Sequence, residues 1–227
     1  MDSFLEFLQQ STEKPIDVLS IINTGTNYVA INLSEANSYL STVDVSSSEK
    51  FSQYIESYLK TNNANVAYGG YLEKRNIYKR SFHFNQLDIK KERNIHLGLD
   101  LWCSIGTKVL AALDGEVHSF KNNKNYGDYG PTIILKHQIR GEVFYTLYGH
   151  LSLESISALQ IGKTFEQGDF LGTLGDAKIN GDYPPHLHFQ IIKDMQGFMG
   201  DYPGVCSQTD LEFYKANCPN PNLLLKL

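Results

Sequence analysis

With 227 residues, 41% of them hydrophobic, the chain can fill a core of its own, either as one large domain or as a core domain with an extension. The net charge of −5, and lysines grouped only briefly at Lys90-Lys91 and between Lys121 and Lys124, argue against a nucleic-acid partner. Cys103, Cys206 and Cys218 form no CxxC and leave at least one thiol unpaired, which fits a reducing compartment better than a disulfide scaffold and leaves a Cys206 to Cys218 bridge open.

In chain order, Asp2 to Gln10 is compatible with a helix. Asp2 and Glu6 stand where an export signal needs basic residues, and Lys14 interrupts any apolar run. No segment reaches the roughly 18 apolar residues of a membrane span. As written, the chain reads as cytoplasmic, with export by another route left open. PIDVLSI and NYVAINLS are short apolar runs, and Ser34 is placed to cap a helix through Leu40. From Ser48 to Lys60, Phe51, Tyr54, Ile55, Tyr58 and Leu59 recur at helical spacing, with Ser46 and Glu49 in a capping-box pattern. One-sided burial makes that stripe core and not a ligand site. Asn62 to Asn65 reads as a turn or linker.

From residue 93 the pattern changes to short strands: NIHLGLDLW, KVLAAL, GEVHSF, PTIILKH, EVFYTLYGHL, KTFEQGDFLGTLG and HLHFQII. Asp114-Gly115 is a hairpin signal, and NNKNYGDYG a loop without the Lys-Ser/Thr ending of a phosphate loop. The tail reads as loop-rich with one short helical stretch. The expected fold class is therefore α+β: an N-terminal α/β extension (1–90), a mainly antiparallel β domain (91–195), and a tail packed on the core (196–227).

The chemistry concentrates in three stretches. In PPHLHFQ, strand alternation puts His186 and His188 on one face, roughly 6.5 Å apart, and Leu187 and Phe189 on the other. That geometry suits a metal, although an isolated HxH is also common by coincidence. In IHLGLDL, His96 and Asp100 share one parity, with Gly98 between them leaving room for an ion or substrate. In TLYGHLS, His150 closes a strand.

These three motifs, in this order, resemble the lysostaphin-like (LytM-type, M23) zinc metallopeptidases: an HxxxD, a later YxHL histidine, and a C-terminal HxH preceded by proline. GTKVLAALDGEV and GKTFEQGDFLGTLG resemble the family's connecting hairpins, so the resemblance covers residues 93 to 193. It implies the duplicated hybrid-motif β fold, Zn2+ as cofactor with His96, Asp100 and His188 as ligands, and His150 with His186 as the catalytic pair. It also implies hydrolysis of peptide bonds, with peptidoglycan peptides the default substrate. Two imidazoles and one carboxylate leave a fourth position for water, as catalytic zinc requires. No HExxH is present, and a cupin reading fails because no glutamate or histidine follows His188 at the needed spacing. His83, His118 and His137 are read as structural.

The loop DAKINGDYPP, between Gly175 and His186, is longer than the family's small-residue turn and edges the site. Tyr183 and Arg93 are candidate oxyanion donors, with a plain surface role the simpler expectation. Segments flanking the domain resemble, more softly, a branch found fused to class-III aminotransferases. Two alternatives remain: a cytoplasmic zinc amidohydrolase acting on a small amide or peptide, and a non-catalytic zinc-bound interaction module. Residues 1 to about 90 either pack beside the β domain and restrict its groove or complete its core.

Overall fold

The computed structural model describes residues 3–11, 13–21, 25–80 and 89–227. Thirteen strands occur among them: β1 (Leu19–Ser20), β2 (Tyr28–Ala30), β3 (Val66–Gly69), β4 (Arg93–His96), β5 (Leu99–Trp102), β6 (Lys108–Leu110), β7 (Gly115–Asn123), β8 (Gly130–Ile139), β9 (Glu142–Gly149), β10 (Thr164–Phe165), β11 (Phe170–Thr173), β12 (His186–Ile192) and β13 (Val205–Ser207). The helices are α1 (Ser3–Gln10), α2 (Ser48–Thr61), α3 (Glu154–Ser157), α4 (Leu211–Asn217) and α5 (Asn222–Leu225). Among the described residues, no helix is long and apolar enough to cross a membrane.

The main sheet has eight strands in the order β10-β7-β8-β9-β12-β5-β3-β2, antiparallel except for the β2–β3 pair. Its longest hairpin, β8–β9, turns on Arg140 and Gly141, whose φ values of 52° and 88° are the paired positive angles of a type I′ turn. β12 lies between β9 and β5. It sends Leu187, Phe189 and Ile191 into the main core with Leu101, Ile133 and Leu135, leaving His186, His188 and Gln190 on its other face.

The two connecting segments expected as hairpins are corners instead. β6 pairs with β1 and β11 in a separate three-stranded sheet, whereas β7 and β10 belong to the main sheet. Asp114-Gly115 and the turn before Phe170 therefore each carry the chain from one sheet to the other. Val109, Leu171 and Leu174 share the main core with the large sheet, which is what the crossing buries.

Local signals were right about element type and off by position at the caps. Asn37, not Ser34, caps the second helical segment, which is a short 3-10 turn at Ser38–Thr42. The cap of α2 is Ser47, whose hydroxyl accepts from Lys50 N, while Ser46 donates to Asp44. The turn at 62–65 leads straight into β3, which pairs with β5, so the N-terminal segment is built into the main sheet. Phe51 and Ile55 of α2 pack in a core cluster with Ile31, Leu33 and Trp102. The tail holds more structure than the sequence suggested. β13 pairs with β4, α4 and α5 follow, and Leu224 and Leu225 enter the main core.

Candidate metal centre and active site

Strand register assembles the site. His188 lies opposite Asp100 on β5 and opposite Gly149 on β9, and His186 lies opposite Trp102. His150 follows Gly149 in a left-handed conformation, φ 64°, unusual for a residue with a Cβ and common where function fixes the backbone. His96 ends β4. The expected single strand from 95 to 101 breaks at Leu97-Gly98, because β4 pairs with β13 while β5 joins the main sheet. His96 and Asp100 still converge. The room left by Gly98 holds the His188 imidazole: a Cβ there would lie 2.5 Å from His188 Cε1.

Hydrogen bonding fixes which nitrogen of each ring faces inward. His96 Nδ1 is 3.0 Å from the Gly70 carbonyl, which can only accept, so Nδ1 carries the proton and Nε2 presents a lone pair. Gln190 gives its amide protons to the Pro203 carbonyl and the Cys218 sulfur, so its Oε1, 2.9 Å away, accepts from His188 Nε2. The Tyr129 hydroxyl is a more distant neighbour of that nitrogen at 3.4 Å. His188 Nδ1 is then a second lone pair, 2.9 Å from His96 Nε2. Asp100 Oδ1 lies 3.2 Å from both. Three buried acceptors facing one another repel, and a cation between them removes the repulsion. This donor set, within 4.8 Å of one another, fits a divalent ion that accepts nitrogen and oxygen ligands, zinc among them.

His150 and His186 follow the same logic. Their Nδ1 atoms donate to the carbonyls of Asn180 (2.7 Å) and Pro184 (2.8 Å). Both Nε2 atoms are therefore proton acceptors, and that of His186 is 3.8 Å from Asp100 Oδ1. The two rings are 4.1 Å apart, and Trp102 stacks on His186 at 3.9 Å. Burial pushes His96 and His186 down to about 4 and, with His186 and His188 nearby, holds His150 well below its ordinary value. Burial alone would raise the Asp100 carboxyl, but His96 and the Arg75 guanidinium outweigh it and keep the group well below the usual carboxylate range.

Two groups that position the candidate ligands, Arg75 and Gly70, carry no signal in the sequence. Arg75 Nη1 donates to Asp100 Oδ2 at 2.6 Å and Nε to Glu73 at 2.6 Å, with the guanidinium only 3% exposed. Gly70, at φ 107°, offers its carbonyl to His96; a Cβ there would lie 2.9 Å from His96 Nδ1. Gln190 did have a signal, since it shares the parity of His186 and His188. Tyr183 is buried, its hydroxyl donating to the Gly127 carbonyl and its ring packed on His150 and His186. Arg93 donates to the Val205 carbonyl. His137 is buried against Asp114 and Thr146, and His118 is half-buried beside Ser119. His83 lies outside the described residues. The three cysteines are buried and free.

Residues 94–199 match the model described as Peptidase family M23. An "Uncharacterized metalloprotease" of Haemophilus influenzae is 34% identical over 95 residues, 42% of this chain and 18% of the relative. "Peptidoglycan DD-endopeptidase ShyC" of Vibrio cholerae is 31% identical over 98 residues, 43% of this chain and 20% of that protein. The matched stretch thus spans 18% and 20% of the length of these curated relatives. Among solved structures, the catalytic domain of lysostaphin from Staphylococcus simulans is 24% identical, covering 54% of this chain and 80% of its own, with a TM-score of 0.37. The matched residues include every member of the histidine and aspartate cluster, so the similarity to peptidase family M23 lies in the part of the chain that carries the site.

Proposed function

We propose that this protein is a zinc-dependent peptidase that hydrolyses an amide bond with water, peptides of the peptidoglycan type being the default substrate class. The observation that carries this reading is the convergence of His96 Nε2, Asp100 Oδ1 and His188 Nδ1 as mutually facing acceptors beside two further histidines. Held by those atoms, zinc would supply Lewis acidity toward the scissile carbonyl and the attacking water. His150 and His186, each with Nδ1 tied to a carbonyl, present Nε2 to take the proton of the attacking water and return it to the leaving amine. Trp102, stacked on His186, holds that ring in place and excludes water from one face. The substrate class draws on the name of the Vibrio relative, a peptidoglycan endopeptidase.

The test is zinc content and peptide cleavage measured on the same preparation. About one zinc per chain is expected. His150→Ala should keep the metal while turnover falls roughly 10² to 10⁴-fold, the usual scale for a general acid or base. A parent protein that stays zinc-free after reconstitution overturns the reading.

A further inference from the structure

Resting on that hydrolase reading, we propose that Tyr129 is a positioning residue whose ring sets His150, the proton-transferring imidazole, at its working distance from His188. Tyr129 lies between β7 and β8, in the stretch NNKNYGDYG, and its side chain is buried. Its ring centre is 5.6 Å from that of His150 and 5.0 Å from that of His188, while the two imidazole centres are 6.4 Å apart. All three separations fall in the range of packed aromatic rings, so one tyrosine bears on both histidines. A general acid or base displaced by about 1 Å loses much of its effect, which makes that spacing a matter of rate.

Two glycines give the ring its place. Gly149 lies opposite His188 on the neighbouring strand, and a Cβ there would come 2.7 Å from Tyr129 Cδ1. At Gly204 a Cβ would run into the Tyr129 hydroxyl. Neither glycine has a positive φ, so these positions supply space and not backbone freedom. The main chain around the tyrosine is anchored as well. His150 N donates to the Tyr129 carbonyl at 2.9 Å, Gly127 N to the Gly181 carbonyl at 3.0 Å, and the Tyr183 hydroxyl to the Gly127 carbonyl at 3.1 Å. The stretch that carries Tyr129 is thus tied to His150 itself and to the loop whose Asn180 carbonyl accepts from His150 Nδ1. The hydroxyl contributes less than the ring, since it lies 3.4 Å from His188 Nε2, whose close partner is Gln190 at 2.9 Å. His188 has supports of its own in Gln190 and in strand pairing on both sides of β12. His150 sits just past the end of β9 on a left-handed backbone, so loss of the ring frees His150 more than His188.

The experiment compares the zinc-loaded full chain with Tyr129→Leu, which removes the ring, and Tyr129→Phe, which keeps it. The main-chain bond from His150 survives both changes, so they isolate the side chain. One readout is cleavage of a peptidoglycan stem peptide, with zinc content measured on the same preparation. In Tyr129→Leu, kcat should fall roughly 10 to 10²-fold while KM and zinc stoichiometry change little, and Tyr129→Phe should recover most of that loss. The other readout needs no turnover: the side-chain N–H signals of protein labelled with ¹⁵N at histidine, the His150 signal being identified by its absence from His150→Ala. The parent should show His150 protonated at Nδ1 and protected from exchange, as its bond to the Asn180 carbonyl requires. Tyr129→Leu should lose that protection, with the His137 signal unchanged as a check on the fold. Should Tyr129→Leu fail to fold, Gly149→Ala, whose Cβ displaces the ring, should show the same loss of turnover and of His150 protection with zinc retained. A protected His150 in the folded variant overturns the inference and leaves the hydrolase reading standing. So does a raised KM at unchanged kcat, which makes the ring a substrate contact, or loss of zinc along with activity, which makes it part of the metal centre. A parent that takes up no zinc overturns the hydrolase reading and this inference with it.

Discussion

Arg75 and Asp100, 25 residues apart in the chain, form a buried ion pair with Nη1 and Oδ2 2.6 Å apart. The pairing occupies one carboxylate oxygen and turns the other, Oδ1, toward His96 and His188. Because Arg75 also holds Glu73, which accepts from Leu33 N, the orientation of Asp100 is tied to the backbone of the N-terminal segment. Arg75→Met should lower zinc affinity by roughly 10 to 100-fold, the range for partners that orient a metal ligand. It should also destabilise the protein by about 3–5 kcal/mol, as removing one partner of a buried pair does. Arg75→Lys should recover only part of the affinity, since an ammonium lacks the fork that spans two carboxylates. Competition against a chromogenic chelator measures the affinity, and an unchanged value for the Met variant would sink this role for Arg75.

Gln190 is expected to act through His188. Replacing it with Leu removes the acceptor of His188 Nε2–H and frees the ring to present the wrong tautomer inward. Zinc affinity should fall roughly 10 to 100-fold, less than for His188→Ala, which should abolish tight binding. Thermal melting separates the cases. The parent's Tm should rise with added zinc, that of Gln190→Leu should rise at higher zinc concentrations, and that of His188→Ala should not respond. A His188→Ala variant that zinc stabilises like the parent would exclude His188 as a ligand.

The residues of the candidate site were legible in the sequence because strand parity and motif order are local properties. His186 and His188 alternate with Leu187 and Phe189, and the structure puts one pair at the site and the other in the core. The partners of those ligands were not legible. Arg75 and Gly70 reach the site because β3 pairs with β5, and no spacing rule predicts a pairing between segments with 3-10 turns and strand β4 between them. The two corners failed for a related reason: Asp-Gly marks a change of direction, but whether the next strand pairs back or crosses to another sheet depends on which face must be buried.

Gly98 tests the packing of the metal centre without changing any donor. Its φ is not in the left-handed region, so alanine carries no backbone strain there. The added Cβ would meet His188 Cε1 at 2.5 Å and the Phe189 carbonyl oxygen at 2.9 Å. Both are too close, and His188 is the movable partner. Gly98→Ala should therefore lose zinc affinity although all three candidate ligands remain. Wild-type zinc affinity in folded Gly98→Ala would show that His188 tolerates displacement and that its position there is not critical.

His137 provides a pH test away from the metal centre. Burial lowers its pKa from 6.5 to about 4, with the hydrogen bond from Nδ1 to the Asp114 carbonyl opposing only part of that shift. Between those values the unfolded chain binds a proton that the folded chain refuses. Stability therefore rises with pH across this window and is lost as pH falls from 6.5 toward 4. The largest loss this one group can contribute is about 3 kcal/mol, from the size of the shift and 1.36 kcal/mol per unit. His137→Gln keeps a polar side chain of similar reach to Thr146 and cannot titrate. Urea unfolding of both proteins in excess chelator, which removes zinc loss from the comparison, should give curves that converge as pH is lowered. The parent should lose up to about 3 kcal/mol more than the variant between pH 6.5 and 4. Parallel curves would mean that His137 titrates alike in the folded and unfolded chains, and that its burial against Thr146 carries no pH-dependent stability.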